Sequence, residues 1–319
     1  MSATVIVPSW NGARRLQRLL PSLDDGSEVV VVDNGSTDGT SDLLARRFPE
    51  VEVIRLARNH GFSKAVNRAA AEASSETIVL VNDDCVCEPG FAARLAAAVD
   101  PSCGVAMAAG VLLEARDPAI IDSAGIELDD TLLVFDYLNG YPVDVLDWAV
   151  TDPLGPSGAA AAFDRSAFLE CGGFDERLFA YWEDVDLVLR LRLAGARCVL
   201  VPDARAVHDH SATLGSGSGE KNYLTGFGRS YVLRKWAVVR GARGAVALSR
   251  EVGICAAQLV IDRTPAGIRG RLAGWRAAGL EPSRPYPASA VGRSRRSVAM
   301  ELRRRASRRR RLQRGGASA

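Results

Sequence analysis

Two adjacent carboxylates, Asp83 and Asp84, follow directly on the apolar run Ile78-Val79-Leu80-Val81 and the amide of Asn82. Neighbouring carboxylates repel each other, and a hard divalent cation such as Mg2+ or Mn2+, which takes oxygen ligands, relieves that repulsion. The same residue types favour a turn after a strand, so the three residues alone leave turn and metal site both open. A second acidic group, Glu183-Asp184-Val185-Asp186, opens a stretch whose apolar positions Val185, Val188, Leu189 and Leu193 have helical spacing, with Gly195 as its stop. At 100° per residue these three acids cannot share one site. One can act as a base while the others cap the helix or pair with Arg190 or Arg192. Beyond the apolar run Val199-Leu200-Val201 lies His208-Asp209-His210, with two of the three histidines in the chain. Either is a structural residue or a metal ligand.

The elements that must position these groups alternate in type. Thr4-Val5-Ile6-Val7 reads as a buried strand closed by Pro8, and Asn11 is placed to cap a helix carrying Leu16, Leu19, Leu20 and Leu23. Val29-Val30-Val31-Val32 is a second strand ending at Asp33, and Val51-Glu52-Val53-Ile54 a third, followed by Asn59-His60-Gly61-Phe62. A helix with Phe62, Ala65, Val66, Ala69 and Ala70 on one face leads into the strand 77–81. Strand-helix alternation argues for a parallel sheet with right-handed crossovers. The polar clusters Ser9/Asn11, Asp33, Asn59 and Asp83/Asp84 then lie along one edge, which favours the metal reading over scattered turns. Residues 103–113 read as another strand, and 114–152 is an acidic stretch without a clear pattern. The small-residue run Gly155 to Phe163 fits both tight strand packing and a backbone lying close to a ligand.

Composition limits the function classes. The 319 residues are 47% hydrophobic and 24% charged, as in a protein able to bury a large core. The formal charge of +2 conceals a split: residues 291–319 carry eleven arginines and one glutamate. Removing them from the 40 basic and 38 acidic residues leaves a body of 29 against 37, net −8. Six scattered cysteines, with Cys85 and Cys87 too close for a zinc knuckle, read as reduced thiols in a cytoplasmic chain. No signal peptide and no uninterrupted apolar run of about 20 residues is evident, so the chain is expected to be soluble or peripheral. Neither a Gly-rich dinucleotide fingerprint nor a P-loop follows the first strand.

Six motifs stand in order: Pro8-Ser9-Trp10-Asn11, Asp33-Asn34-Gly35-Ser36-Thr37-Asp38-Gly39, Asn59-His60-Gly61-Phe62, Asn82-Asp83-Asp84, Gly173-Phe174-Asp175-Glu176 and Trp182-Glu183-Asp184-Val185-Asp186. Over residues 3–235 the chain resembles the family 2 inverting glycosyltransferases of GT-A fold, within them the bacterial rhamnosyltransferase-like branch. The resemblance implies an α/β GT-A domain over 1–235 with a mostly parallel sheet; outside it, apolar spacing reads as a helical extension over 236–281, and Pro, Ser and Arg content as a basic, disordered tail over 282–319. It implies a nucleotide-diphosphate sugar donor and bound Mg2+ or Mn2+. Pro8, Trp10, Asn11, Asp33, Asn59, Gly61, Lys64, Asn82 and Asp83 would border the donor, Asp83 near its ribose. Asp84 would be the main metal ligand and His208 would complete the shell, with His210 close enough to compete. Asp184 would be the catalytic base, with Gly158, Trp182 and Glu183 on the acceptor side and Trp182 and Tyr181 suited to stack on a sugar ring.

The acceptor implied is a glycan or polyprenyl-linked hydroxyl in cell-envelope polysaccharide synthesis. The arginine-rich tail fits peripheral contact with an anionic membrane, whereas nucleic acid is disfavoured by the acidic body and the lack of interleaved aromatics. The Gly/Ser-rich residues 214–219 read as a mobile lid. Two other readings are a sugar-phosphate nucleotidyltransferase, which should carry a Gly-rich basic loop after its first strand, and a non-catalytic nucleotide-sugar- or membrane-binding module.

Overall fold

The first half of the chain folds as β1 (Ala3–Ser9), α1 (Ala13–Leu19), β2 (Glu28–Asp33), α2 (Thr40–Arg47), β3 (Glu52–Arg55), α3 (Phe62–Glu72) and β4 (Thr77–Val81). The computed structural model describes residues 3–23, 25–147, 151–209, 217–280 and 283–291. His210, residues 214–216 of the expected lid and the tail from residue 292 lie outside the described residues. β1, β2, β3 and β4 run parallel, with Ser9 beside Asp33, Asp33 beside Arg55 and Ile6 beside Leu80. That register lines up the polar strand ends along one edge of the sheet, where open α/β sheets bind ligands.

The chain continues through β5 (Cys85–Cys87), α4 (Phe91–Ala97), β6 (Val105–Glu114), β7 (Asp117–Ser123), β8 (Ile126–Leu128), β9 (Val134–Asp136), β10 (Ala160–Asp164), α5 (Arg165–Glu170), α6 (Glu183–Leu193) and β11 (Arg197–His208). Sheet order is β3-β2-β1-β4-β10-β6-β11-β5, with β7 on β6. β10 inserts antiparallel between β4 and β6, so the sheet is mixed beyond its parallel half. The small residues of 155–163 permit this: Ala160, Ala161 and Ala162 are buried between neighbouring strands. The unpatterned stretch 114–152 holds β7, β8 and β9, whose short lengths leave little periodicity to read.

Side chains alternate across a strand. Val5, Val7, Val31, Val79 and Val81 therefore pack on one face with Leu16, Leu19, Phe91 and Leu95. Ile6, Val30, Val32, Ile78 and Leu80 pack on the other with Val66, Val188 and Tyr231. Each such fully buried aliphatic side chain contributes about 1.5–3 kcal/mol.

Three helices close the described chain: α7 (Gly219–Lys235), α8 (Gly241–Ala257) and α9 (Ala266–Ala278). α7 is tied to the sheet layer by fully buried Trp236 just past its end, whose Nε1 donates to Asp186 at 3.0 Å. Asp186 also accepts from Arg190 and Lys235, each at 2.9 Å, so this third acid of the group is structural. One local expectation is corrected. Asn11 does not cap α1, because Gly12 holds the cap position and the Asn11 side chain accepts from the Thr37 N–H at 2.9 Å. α8 runs through Arg250 and Glu251, both of which turn inward onto protein partners.

Candidate active site

Asp84 follows β4, and its buried Oδ1 makes no hydrogen bond. His208 closes β11, which pairs antiparallel with β5 and sets His208 beside Cys85. This brings the His208 Nε2 to 3.4 Å from that Asp84 oxygen. The other ring nitrogen, Nδ1, lies 2.8 Å from the Asp122 carboxylate on β7. An ionised carboxylate only accepts, so Nδ1 carries the proton and Nε2 is aimed at Asp84. Burial disfavours a charge on His208, but the bond to Asp122 and the nearby Asp84 carboxylate outweigh it and raise the pKa to about 10. A ligating cation would replace the Nε2 proton.

This donor set fits a divalent cation: a buried carboxylate oxygen without a partner, an imidazole nitrogen and a carboxylate orienting the imidazole. Cys85 Sγ lies in the same cluster, but burial pushes its thiol well above the ordinary value, so it enters as a neutral neighbour. Asp122 was not legible as a site residue. Its signal is the pattern seen at the other strands, an apolar pair (Ile120-Ile121) running into an acid.

Asp83 points elsewhere. Its carboxylate accepts from Arg15 Nε at 2.9 Å, from Arg15 Nη2 at 3.0 Å and from Ser9 Oγ at 2.6 Å. Arg15 Nη2 also donates to the Trp10 carbonyl at 3.0 Å, which fixes the turn carrying Trp10 and Asn11 after β1, while Pro8 lies within β1 beside Val32. Arg15 was a further residue missed, since a surface-type Arg in a first helical turn carries no distinguishing pattern. Asn82 sits between, with its N–H 3.4 Å from the Ala159 carbonyl.

Asp33, fully buried at the end of β2, accepts from the Ser36 N–H at 2.9 Å and from the Ser41 hydroxyl, closing its own loop. Asn34 donates to Asn59 Oδ1 at 3.0 Å and to the Gly61 carbonyl at 3.1 Å, and accepts from the His60 N–H at 2.9 Å. It thereby fixes the 59–61 loop beside β2. Gly61 has φ +89°, and a Cβ there would lie 2.4 Å from the Phe179 carbonyl, so only glycine fits. Lys64 is half exposed and lies 3.9 Å from Glu176.

Asp184 stands in the first turn of α6. Its Oδ1 accepts from the Val185 N–H at 2.8 Å and its Oδ2 lies 3.4 Å from the Gly158 N–H. Burial raises its pKa above the ordinary value in spite of those donors. Glu183 is buried with Oε2 unbonded, and burial followed by the charge of Asp184 pushes its pKa well up. The backbone before them is left-handed at two successive non-glycine residues, Tyr181 (φ 69°) and Trp182 (φ 77°). Such conformations cost about 1–3 kcal/mol each and persist where surroundings enforce them.

Those surroundings come from α7. Trp182 is buried, with the Arg229 guanidinium 5.1 Å from its ring centre, and Tyr181 lies under Lys221 at 5.6 Å. Trp182 is thus packed inward, not offered to a ring-shaped ligand. Gly228 permits the approach, since a Cβ there would lie 2.6 Å from Trp182 Cδ1. Arg229 is held in turn by Glu251 at 2.7 Å and the Leu132 carbonyl at 2.8 Å.

Comparison with known proteins shows the family and the fold. Residues 4–112 match the family model "Glycosyl transferase family 2". The chain is 31% identical over 239 residues to an N-acetylglucosaminyl-diphospho-decaprenol L-rhamnosyltransferase of Mycobacterium tuberculosis, spanning 66% of this chain and 77% of that one. It is 31% identical over 227 residues to a pre-mycofactocin glycosyltransferase of the same organism, spanning 70% of this chain and 46% of the other. Among solved structures it is similar to GalNAc-T7 with UDP, GalNAc and Mn2+ (TM-score 0.60, 16% identity, 90% of this chain and 59% of that one). It is also similar to a mannosyltransferase of Pyrobaculum calidifontis in complex with GDP-Man and Mn2+ (TM-score 0.51, 23% identity, 90% and 77%). The fold is that of the GT-A glycosyltransferases. The chain belongs to glycosyltransferase family 2, where it is rhamnosyltransferase-like.

Proposed function

We propose that the protein is a metal-dependent inverting glycosyltransferase that moves a sugar, rhamnose in the first instance, from a nucleotide-diphosphate donor to a hydroxyl of a lipid-linked glycan. The observation that carries this reading is the buried, unbonded Asp84 oxygen facing His208, with Asp122 behind the imidazole. Asp84 and His208 would hold Mg2+ or Mn2+, which when bound would offset the charge developing on the departing diphosphate. Rhamnose and the lipid-linked acceptor are supported by the named activity of the 31% identical relative.

The chain's own residues do the remaining work. Asp184 takes the proton of the acceptor hydroxyl as its oxygen bonds to the anomeric carbon and the bond from that carbon to the diphosphate oxygen breaks. One displacement inverts the anomeric configuration. The Gly158 N–H and the start of α6 hold the Asp184 carboxylate in place. The loop fixed by Asn34, Asn59 and Gly61, with Pro8 on β1 and the Trp10–Asn11 turn fixed by Arg15, forms the donor side. The arginine-rich tail would add electrostatic contact with anionic lipid.

The test is a thermal-shift panel of nucleoside diphosphates and nucleotide sugars, with and without Mn2+ or Mg2+, on wild type and Asp84→Ala. A metal-dependent rise with one nucleotide, lost in the variant, supports the donor site and identifies its base. No shift with any nucleotide in either metal would refute it and favour a non-catalytic module.

A further inference from the structure

The helix α8 is built inside out. Its three charged residues all meet protein partners. Arg243 lies over the Tyr286 ring at 3.5 Å, and Arg250 bonds Asp129 and, at 2.8 Å, the Thr131 hydroxyl. Glu251 bonds Arg229 and Arg271, each at 2.7 Å. The face turned away from the domain carries Val246, Leu248, Val252, Leu259, Val260 and Ile261, all exposed, with Val252 at 70% and Val260 at 76%. Ordinary surface helices show the reverse, an apolar stripe inward and charge outward. With the π-helical turn that continues it, the helix spans Gly241–Asp262, and only 17% of its most apolar window is buried. By length and composition it could cross a bilayer. Crossing, however, would drag Arg250 and Glu251 off their partners into hydrocarbon, which the inward ion pairs oppose.

We propose that this outward face of α8 is a bilayer-docking surface, on which the helix lies in the plane of an anionic membrane. Charge decides the occupant. Residues 241–280 hold six arginines against Glu251 and Asp262. Arg240, Arg263 and Arg269, at or near the two ends of the apolar stretch, are exposed. Tyr286, stacked on Arg243, runs the described chain past the start of α8, and the 28 residues after Val291 carry eleven arginines and one glutamate. A symmetric pair of copies would bring two such cationic sets together, with no acid among the described residues of the face to meet them. An anionic bilayer supplies both the apolar layer and the countercharge, as interfacial amphipathic helices require. The same helix braces the base loop, since Glu251 holds Arg229 over Trp182. Docking would therefore hold at the membrane the helix that braces the Tyr181–Trp182 turn before Asp184. The docking itself does not depend on the donor or metal reading.

The experiment is flotation of the full chain with vesicles of phosphatidylglycerol and phosphatidylcholine, against phosphatidylcholine alone. Three proteins are compared: wild type, the charge-neutral pair Val252→Gln/Val260→Gln, and a chain ending at Val291. The glutamines replace exposed side chains, and unchanged circular dichroism and melting temperature establish that the variant folds. The expected result is wild-type binding to the anionic vesicles, at least tenfold weaker binding by the double variant, and residual binding by the shortened chain. Three results would overturn the proposal: no wild-type binding; loss on shortening with none in the double variant, which would assign binding to the tail alone; or a wild-type dimer in light scattering that the double variant abolishes, which would assign the face to a second copy.

Discussion

Asp122 lies 2.8 Å from Nδ1 of His208, and by holding that nitrogen it turns Nε2 toward the unbonded Asp84 oxygen. The two residues are 86 positions apart, joined because β7 and β11 both pair with β6. A carboxylate behind a ligating imidazole fixes its tautomer and raises its basicity. Asp122→Asn should weaken Mn2+ binding by about 10–100-fold while the fold persists. Calorimetric titration with Mn2+ reads this directly, and unchanged affinity would remove Asp122 from the site.

Asp184→Asn should lower kcat by about 10²–10⁴-fold, the usual contribution of a positioned base. Donor affinity should be unchanged, because the role proposed for the carboxylate is to take the acceptor proton. A loss confined to KM for the donor would assign Asp184 a binding role instead.

The pH dependence follows from the same residue. A base works ionised, and burial raises the Asp184 pKa above the ordinary 3.8. The acid limb of the kcat profile should therefore rise with pH at a value above that of an exposed aspartate. Measuring kcat from pH 4 upward tests it, and a limb at or below the ordinary value would show that Asp184 is less buried than its surroundings imply.

Much of this site was legible because strand ends advertise themselves. Asp33 and Asp83/Asp84 each follow an unbroken apolar run, and parallel pairing then carries them to one edge. What was not legible depends on long-range placement. Asp122 sits in a region of short strands without period, Arg15 looks like any surface arginine, and Trp182 looked like an exposed stacking platform until α7 was seen to cover it. The outward face of α8 was hidden by Arg250 and Glu251, whose charges break the apolar run in sequence but fold inward in space.

Gly228→Ala tests the brace on the base loop. The added methyl would meet Trp182 and the Tyr181 carbonyl, at 2.6 and 2.8 Å, where the backbone is already left-handed. Overpacking of this kind costs about 1–3 kcal/mol. A shift of about 1 Å in a catalytic group can cost 10²-fold in rate. The variant should lose kcat with little change in donor KM, whereas full activity would show that Trp182 does not govern the placement of Asp184.

Stability at low pH should depend on Asp175. Burial raises its pKa, but Lys235 at 2.7 Å and Tyr231 at 2.7 Å outweigh it, so the folded value lies below 3.8. A depressed value contributes stability that is present above the unfolded pKa and lost as pH falls through the folded one. Acid titration of the melting temperature should show a decline below pH 3.8 that is shallower in Asp175→Asn. Parallel curves would mean the pair contributes nothing.

The central claim is that Asp84 and His208 hold the cation that binds the donor diphosphate. Its most direct test is Mn2+ titration followed by electron paramagnetic resonance, with a nucleoside diphosphate present, on wild type, Asp84→Asn and Asp122→Asn. The account predicts tight binding in wild type, a partial loss in Asp122→Asn and a larger loss in Asp84→Asn. Equal Mn2+ affinity in wild type and Asp84→Asn would contradict it.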